Sequence, residues 1–365
     1  MLDLPTRHCF DKRSTGKISA KGMRPLIDIL ESSATLFRFD RERARAKGAL
    51  KYTATQMITI TMFIEIKKLT YDSYETLVHG RGGQRILKNL GMPVGPDGRY
   101  LAPSRGWIST FRNHEYSFFR YDLEREMQDS ILQRFREGGA SITLTMDSSP
   151  LEASRYSEWA DFNPHYNIKM AKAHIMMIRG IPLFYTFTNG NVGDCPEFME
   201  LLDRYDGVLL KGARILSDGS YASHEAYLKV FRKTGVVMSS NLRYDAVFHE
   251  EATYDKLVRA YNKLHKEPDF VPLKHTNPDH MLRYLSSHGY AEKVGWFLRN
   301  LDLSRGDRIH REDSLKRHVC ETVHRAMKRW VDLDVRGLHK KYVGKHLQMK
   351  MFICTMLCFV FEPYC

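Results

Sequence analysis

Three carboxylates stand where their chemistry could be shared. Asp147 follows the alternating stretch Ile142-Thr143-Leu144-Thr145-Met146 and precedes Ser148-Ser149-Pro150. The pattern predicts a strand whose C-terminal edge carries the acid. Asp218 closes the short apolar stretch ARILS and is followed by Gly219-Ser220-Tyr221, a second strand end, while Glu321 lies on the helical run SLKRHVCETVHRAMKRW. If the two strands are neighbours and the helix packs across them, the three acids converge as hard oxygen donors suited to Mg²⁺ or Mn²⁺. Two such ions, about 3.5–4 Å apart, can activate a water or a 3′-hydroxyl and stabilise the leaving oxygen of a phosphoryl transfer. Singly each acid is weak, because a strand-end Asp is more often a turn former and a Glu on a basic helix more often an ion-pair partner. The weight comes from their order and from the charge around them.

That charge is basic: Lys and Arg number 56 against 43 Asp and Glu, a formal net charge of +13, which makes a polyanion the first partner to consider. Arg317, Arg325, Lys328 and Arg329 surround Glu321 in sequence and are the candidates for neutralising the phosphates of DNA. Helical spacing places Arg317 and Lys328 on roughly the side of Glu321; a solvated basic face is the competing reading. Lys169, Lys172 and His174 read as ordinary strand residues, and Trp107, Trp159, Trp296 and Trp330 as core before base-stacking platforms.

The elements that must hold these residues fall into two regions. Residues 1–138 are predominantly helical: apolar positions recur at helical spacing from Thr53 to Leu90 as helix, turn, helix, and a long helix follows Ser104 up to Gly138-Gly139. From 139 onward the period changes. Strands are predicted over 142–147, 166–178, 181–188, 214–217 and 236–239, with helices over 196–205 and 224–233 among them. Three strands in succession and then alternation of strand and helix is a mixed α/β order. Residues 243–310 read as an insertion before the last catalytic helix, here 313–330, and a final helix starts near Leu338.

Membrane and secreted classes do not fit. The first residues lack a basic segment followed by an apolar one. The stretch Met349–Phe361 contains Lys350 and falls short of the roughly 20 residues that span a bilayer, so it reads as a buried helix. The six cysteines form no CxxC pair, and Cys354 and Cys358, four apart among apolar residues, read as core; a reducing cytoplasm is the expected compartment. A zinc site on His275, His280 and His288 has no recognised ligand spacing.

Around the acids the sequence resembles the DDE transposases of prokaryotic insertion sequences. The matching residues are TMDSSP with Asp147, HYNIKMAKAH, TNGNVGDCPEFMELL, SDGSY with Asp218 and Tyr221, and Arg317, Glu321 and Lys328 in the family's spaced Tyr-Arg-Glu-Lys pattern, where Ser314 stands in place of the Tyr. Upstream, TATQMITITMFIEIKKLTYDSYETL and APSRGWISTFRNH are similar to the helical segment preceding the catalytic domain in such enzymes. The resemblance covers roughly residues 50–330. It implies a ribonuclease-H-like mixed sheet flanked by helices over 139–365, with a helical N-terminal region over 1–138 that binds the DNA end. Asp147, Asp218 and Glu321 would be catalytic and hold two Mg²⁺ or Mn²⁺ ions. The implied activity is binding of terminal inverted repeats, metal-dependent cleavage and strand transfer into target DNA, by a homodimer acting on double-stranded DNA. A metal-dependent nuclease on the same fold, and an inactive DNA-binding relic, are the alternatives.

Overall fold

The computed structural model describes residues 18–139, 141–205, 210–242, 246–264, 278–305, 307–335 and 340–361. The N-terminal region is built from α1 (Arg24–Glu31), α2 (Ala34–Lys47), α3 (Ala54–Ile66), α4 (Tyr71–His79), α5 (Gly83–Asn89), α6 (Arg105–Thr110) and α7 (Tyr116–Glu137), with one π-helical turn, Phe111–Glu115, joining the last two. Where the sequence pattern predicts helix, turn, helix over 53–90, three helices form, because Gly80 and Gly82 interrupt the second segment. Thr53 and Gln56 form a reciprocal capping box at the start of α3, and Thr70 accepts from Ser73 N at the start of α4. Almost every residue of α3 is buried, which suits a helix apolar on all sides.

Among the described residues six strands form one sheet: β1 (Thr143–Glu152), β2 (Asp161–Asn163), β3 (Ile168–Ile178), β4 (Ile181–Asn189), β5 (Arg214–Asp218) and β6 (Ser239–Asn241). The order is β2-β3-β1-β5-β6, with β4 also paired to β3; β1, β3 and β4 are antiparallel and β1, β5 and β6 parallel. This is the mixed sheet expected of a ribonuclease-H-like domain. Two helices, α8 (Asp194–Arg204) and α9 (His224–Thr234), follow β4 and β5.

Two expectations change. The strand carrying Asp147 does not end there but runs on to Glu152, since β3 continues to pair with it as far as Glu152↔Met170. Pro150 lies inside it. In a strand the N and C=O of one residue point the same way, and the Pro150 carbonyl accepts from Lys328 Nζ rather than from β3, so the missing N–H removes no ladder bond. The insertion is also more regular than its sequence pattern suggests, with α10 (Tyr254–Leu264), α11 (Pro278–Ser287) and α12 (Ala291–Leu303). Residues 265–277, including His275, lie outside the described residues. Helix α12 crosses α9 so closely that a Cβ on Gly295 would stand 2.4 Å from the His224 carbonyl oxygen. Buried Asp302 then ties the insertion to the sheet, accepting from Tyr227 Oη at 2.5 Å and Ser240 N at 2.8 Å.

Helix α13 (Asp307–Trp330) lies across β1, β5 and β6, and α14 (Lys340–Phe361) packs on β4, α3 and the π-helical turn. Cys354 and Cys358 are buried within α14. No helix among the described residues is long and apolar enough to cross a membrane.

Candidate active site

Strand alternation sends Thr143, Thr145, Asp147 and Ser149 to one face of β1. That face meets α13, where Cys320 Sγ donates to Thr145 Oγ1 at 3.0 Å. The parallel ladder between β1 and β5 stops at Thr145↔Leu216, while the antiparallel one with β3 continues through Asp147↔Ile175. Asp147 therefore stands just past the end of β1's pairing with β5, over the gap that β5 leaves on one side. Asp218 is the last residue of β5, and its Oδ1 accepts from Ser220 N at 2.6 Å, capping the 3₁₀ turn Gly219–Tyr221. From above, α13 brings Arg317 and, one turn later, the exposed Glu321.

Asp147 feels all of these groups. Arg317 Nη1 lies 3.9 Å from its Oδ1, the two side chains being only 16% and 14% exposed. Its carboxyl is pushed up to about 6, first by burial and then by the negative charges of Asp218 and Glu321; Arg317 and the Ser148 N–H, 2.9 Å away, act against the rise. Among the described residues no three His, Cys, Asp or Glu side chains are gathered tightly enough to ligate one ion as they stand. The donor chemistry nevertheless suits a hard divalent cation: the negative charges that oppose ionisation of half-buried Asp147 are relieved by positive charge between the acids.

The four basic candidates separate into two kinds. Arg317 faces Asp147, and Lys328 Nζ donates to the Pro150 carbonyl at 2.6 Å, half-buried and held below its ordinary range chiefly by burial. Arg325 and Arg329 are exposed. Ser314, where the resemblance would have a Tyr, lines a crevice of only about 10 Å³ with Leu216, Ser217, Ser239, Ser240, Asp313 and Arg317. Small hydroxyl residues line the approach of α13 to β5 and β6. Buried Asp313 fixes that approach by accepting from the Arg214 guanidinium and from Ser239 Oγ at 2.7 Å; Glu312 is exposed.

Behind β1 lies a buried polar cluster that the sequence pattern does not single out. Lys172 Nζ is 3.2 Å and His174 Nδ1 3.6 Å from Asp194 Oδ1 at the start of α8, and His174 Nε2 is 2.9 Å from Thr188 Oγ1. Burial holds His174 down to about 4. Tyr221, buried beside this cluster, is pushed well above its ordinary range by burial and then by the Asp194 charge. The cluster thus joins β3 to the loop that carries Asp218. Lys172 and His174 in an otherwise apolar β3, Thr188 on β4 and the GDCPEF segment after β4 are the available signals.

The profile of the transposase DDE domain family matches residues 139–357, more than half of the chain. No curated protein matches the sequence. Similar solved structures include a Mos1 mariner paired-end complex with Mn, at 10% identity over 86% of this chain and 98% of that one with a TM-score of 0.20. Another is a piggyBac transposase synaptic complex with hairpin DNA, at 10% identity over 97% of this chain and 82% of that one with a TM-score of 0.27.

Proposed function

Since the chain belongs to the transposase DDE domain family and is a DDE-type transposase, we propose that it binds the terminal inverted repeats of its own mobile element, cleaves there and joins the 3′-hydroxyl to target DNA. In this reading residues 1–138 grip the element end, 139–365 carry the chemistry, and two copies act as a homodimer on the two ends. Asp147, Asp218 and Glu321 would hold Mg²⁺ or Mn²⁺, two ions in our reading, which when bound supply activation of the attacking hydroxyl and stabilisation of the leaving oxygen.

The protein's own groups do the positioning. Asp147 is oriented by the Ser148 N–H, and Asp218 is held in place by its cap on Ser220. Arg317 keeps a positive charge beside the buried carboxylate, and Lys328 braces β1 against α13. Arg325 and Arg329, exposed on the same helix, are available to the flanking phosphates.

The observation that supports the reading is geometric: Asp147 lies just past the last β1–β5 pair, Asp218 closes β5, and Arg317 of α13 is 3.9 Å from Asp147 Oδ1. Its test is Asp147→Ala and Asp218→Ala assayed with Mg²⁺ on DNA bearing the inverted repeats that flank the reading frame. Cleavage and joining should vanish while DNA binding persists, since affinity comes mostly from phosphate contacts. Wild-type cleavage by either variant refutes the metal-site assignment, and wild-type cleavage without any joined product would leave a nuclease.

A further inference from the structure

Helix α13 is not the only element that turns cations outward. Helix α2 lies along α7 with its inner side fixed at every turn. Glu126 accepts from Ser33 Oγ at 2.7 Å and from Ala34 N at 2.9 Å; Arg38 pairs with Asp122 at 2.7 Å; the Phe39 and Phe119 rings are 4.5 Å apart; Arg43 pairs with Glu115 at 3.1 Å. Contacts that advance along α2 retreat along α7, so the two helices run antiparallel, with Asp122 and Glu126 of α7 and Glu115 of the preceding turn holding α2.

The outer side of α2 is different. Arg38, Arg41 and Arg45 recur at i, i+3 and i+7, which is one helix face, and all three are exposed, with Arg38 at its edge where it also pairs with Asp122. Arg41, Arg45 and Lys47 make no ion pair or hydrogen bond with any described residue, and from Ala34 to Lys51 the chain carries six Lys or Arg against two Asp or Glu. From Arg38 to Arg45 the row is about 10 Å long at 1.5 Å per residue. A major groove is about 12 Å wide, and long Arg side chains at the two ends of the row extend its reach toward the phosphates on either side.

We propose that this face of α2 seats duplex DNA, with Arg41 and Arg45 on phosphates and Arg38 at the edge of the row. The proposal rests on the functional reading above and deepens it by naming the surface, outside the family-matched region, that grips the element end. The occupant is DNA rather than a second copy of the chain because the face carries unneutralised positive charge, and a second copy would bring the same charge against it.

The test is anisotropy of a fluorescein-labelled mixed-sequence duplex across a salt series, with wild type, Arg41→Ala/Arg45→Ala, and a charge-matched control, Arg85→Ala/Lys88→Ala, on the exposed side of α5. At physiological salt the α2 variant should lose about tenfold or more in affinity, and its log–log salt slope should be shallower by about two, at about 0.9 per phosphate contact. The control should match wild type. A milder Arg45→Gln should lessen the slope by about one, so a folding defect in the double variant would not shield the proposal. An α2 variant equal to wild type, or a control that loses as much, overturns the assignment. Should Asp147→Ala still bind and fail to cleave in that case, the functional reading survives without it. A flat wild-type titration removes both.

Discussion

Substituting Lys328 by Met tests whether a basic residue on the catalytic helix serves the fold or the DNA. The ammonium donates to the Pro150 carbonyl at 2.6 Å and is half-buried between α13 and β1. Met keeps the aliphatic stem and removes one charge-assisted hydrogen bond, leaving a strand carbonyl that β3 does not satisfy. Hydrogen bonds to charged groups contribute about 1.5–3 kcal/mol. Burial disfavours the ammonium here, which offsets part of that, so the expected loss is about 1–2 kcal/mol. At roughly 2–4 °C per kcal/mol for a large domain, the melting temperature should fall by a few degrees. The DNA salt slope should be unchanged, whereas Arg325→Ala and Arg329→Ala, both exposed, should each make it shallower by about 0.9 at unchanged melting temperature. Thermal melts and anisotropy titrations on the same preparations separate the outcomes. A Lys328→Met protein that melts like wild type and binds DNA with a shallower slope would refute the bracing role.

Other expectations follow from particular contacts. Glu321→Gln should impair Mg²⁺-dependent cleavage as the aspartate variants do, while Glu312→Gln, exposed on the same helix, should cleave like wild type; equal rates at saturating Mg²⁺ would move the third ligand elsewhere. Glu124 on α7 is pushed up from 4.5 to about 7, chiefly by burial, with Arg120 opposing. Between those values the unfolded chain has shed this proton and the folded chain still holds it, so stability should decline as pH rises through the window, by at most about 3 kcal/mol from this residue. Glu124→Gln should flatten that dependence in melts at the two ends of the window. An unaltered pH dependence in the variant would show that the carboxyl is not what titrates.

Local pattern carries far in this chain where the forces are local. Alternation over Ile142–Met146 and the apolar ARILS stretch locate β1 and β5, and the long helix after Ser104 forms, because period-2 and period-3.6 burial are written residue by residue. What local pattern misses is set by partners distant in sequence. Ser148-Ser149-Pro150 reads as a strand end, yet β3 continues to supply a ladder and Lys328, far along the chain, takes the carbonyl that Pro150 turns away from it. The three-residue strand β2 likewise exists because it pairs with Ile168–Met170, and no alternation in DFN announces it.

The same distinction separates the residues of the site. Asp147 and Asp218 are legible because a strand end beside a turn is a local event, and Glu321 because its spacing from Arg317 and Lys328 is a helical one. Whether a given cation faces DNA or the protein is not local. Arg317 and Lys328 lie near Glu321 by helical count, and that proximity to the sheet is what draws them inward, one to Asp147 and the other to Pro150. Arg325 and Arg329 remain outward because no strand lies beneath their side of α13. A basic residue within reach of a buried carboxylate or a strand carbonyl is held by it, since leaving either group unsatisfied costs more than an exposed ion pair returns. In a chain of this charge, the cations left available for the proposed phosphate contacts are those that the sheet does not hold, on the outer side of α13 and on α2.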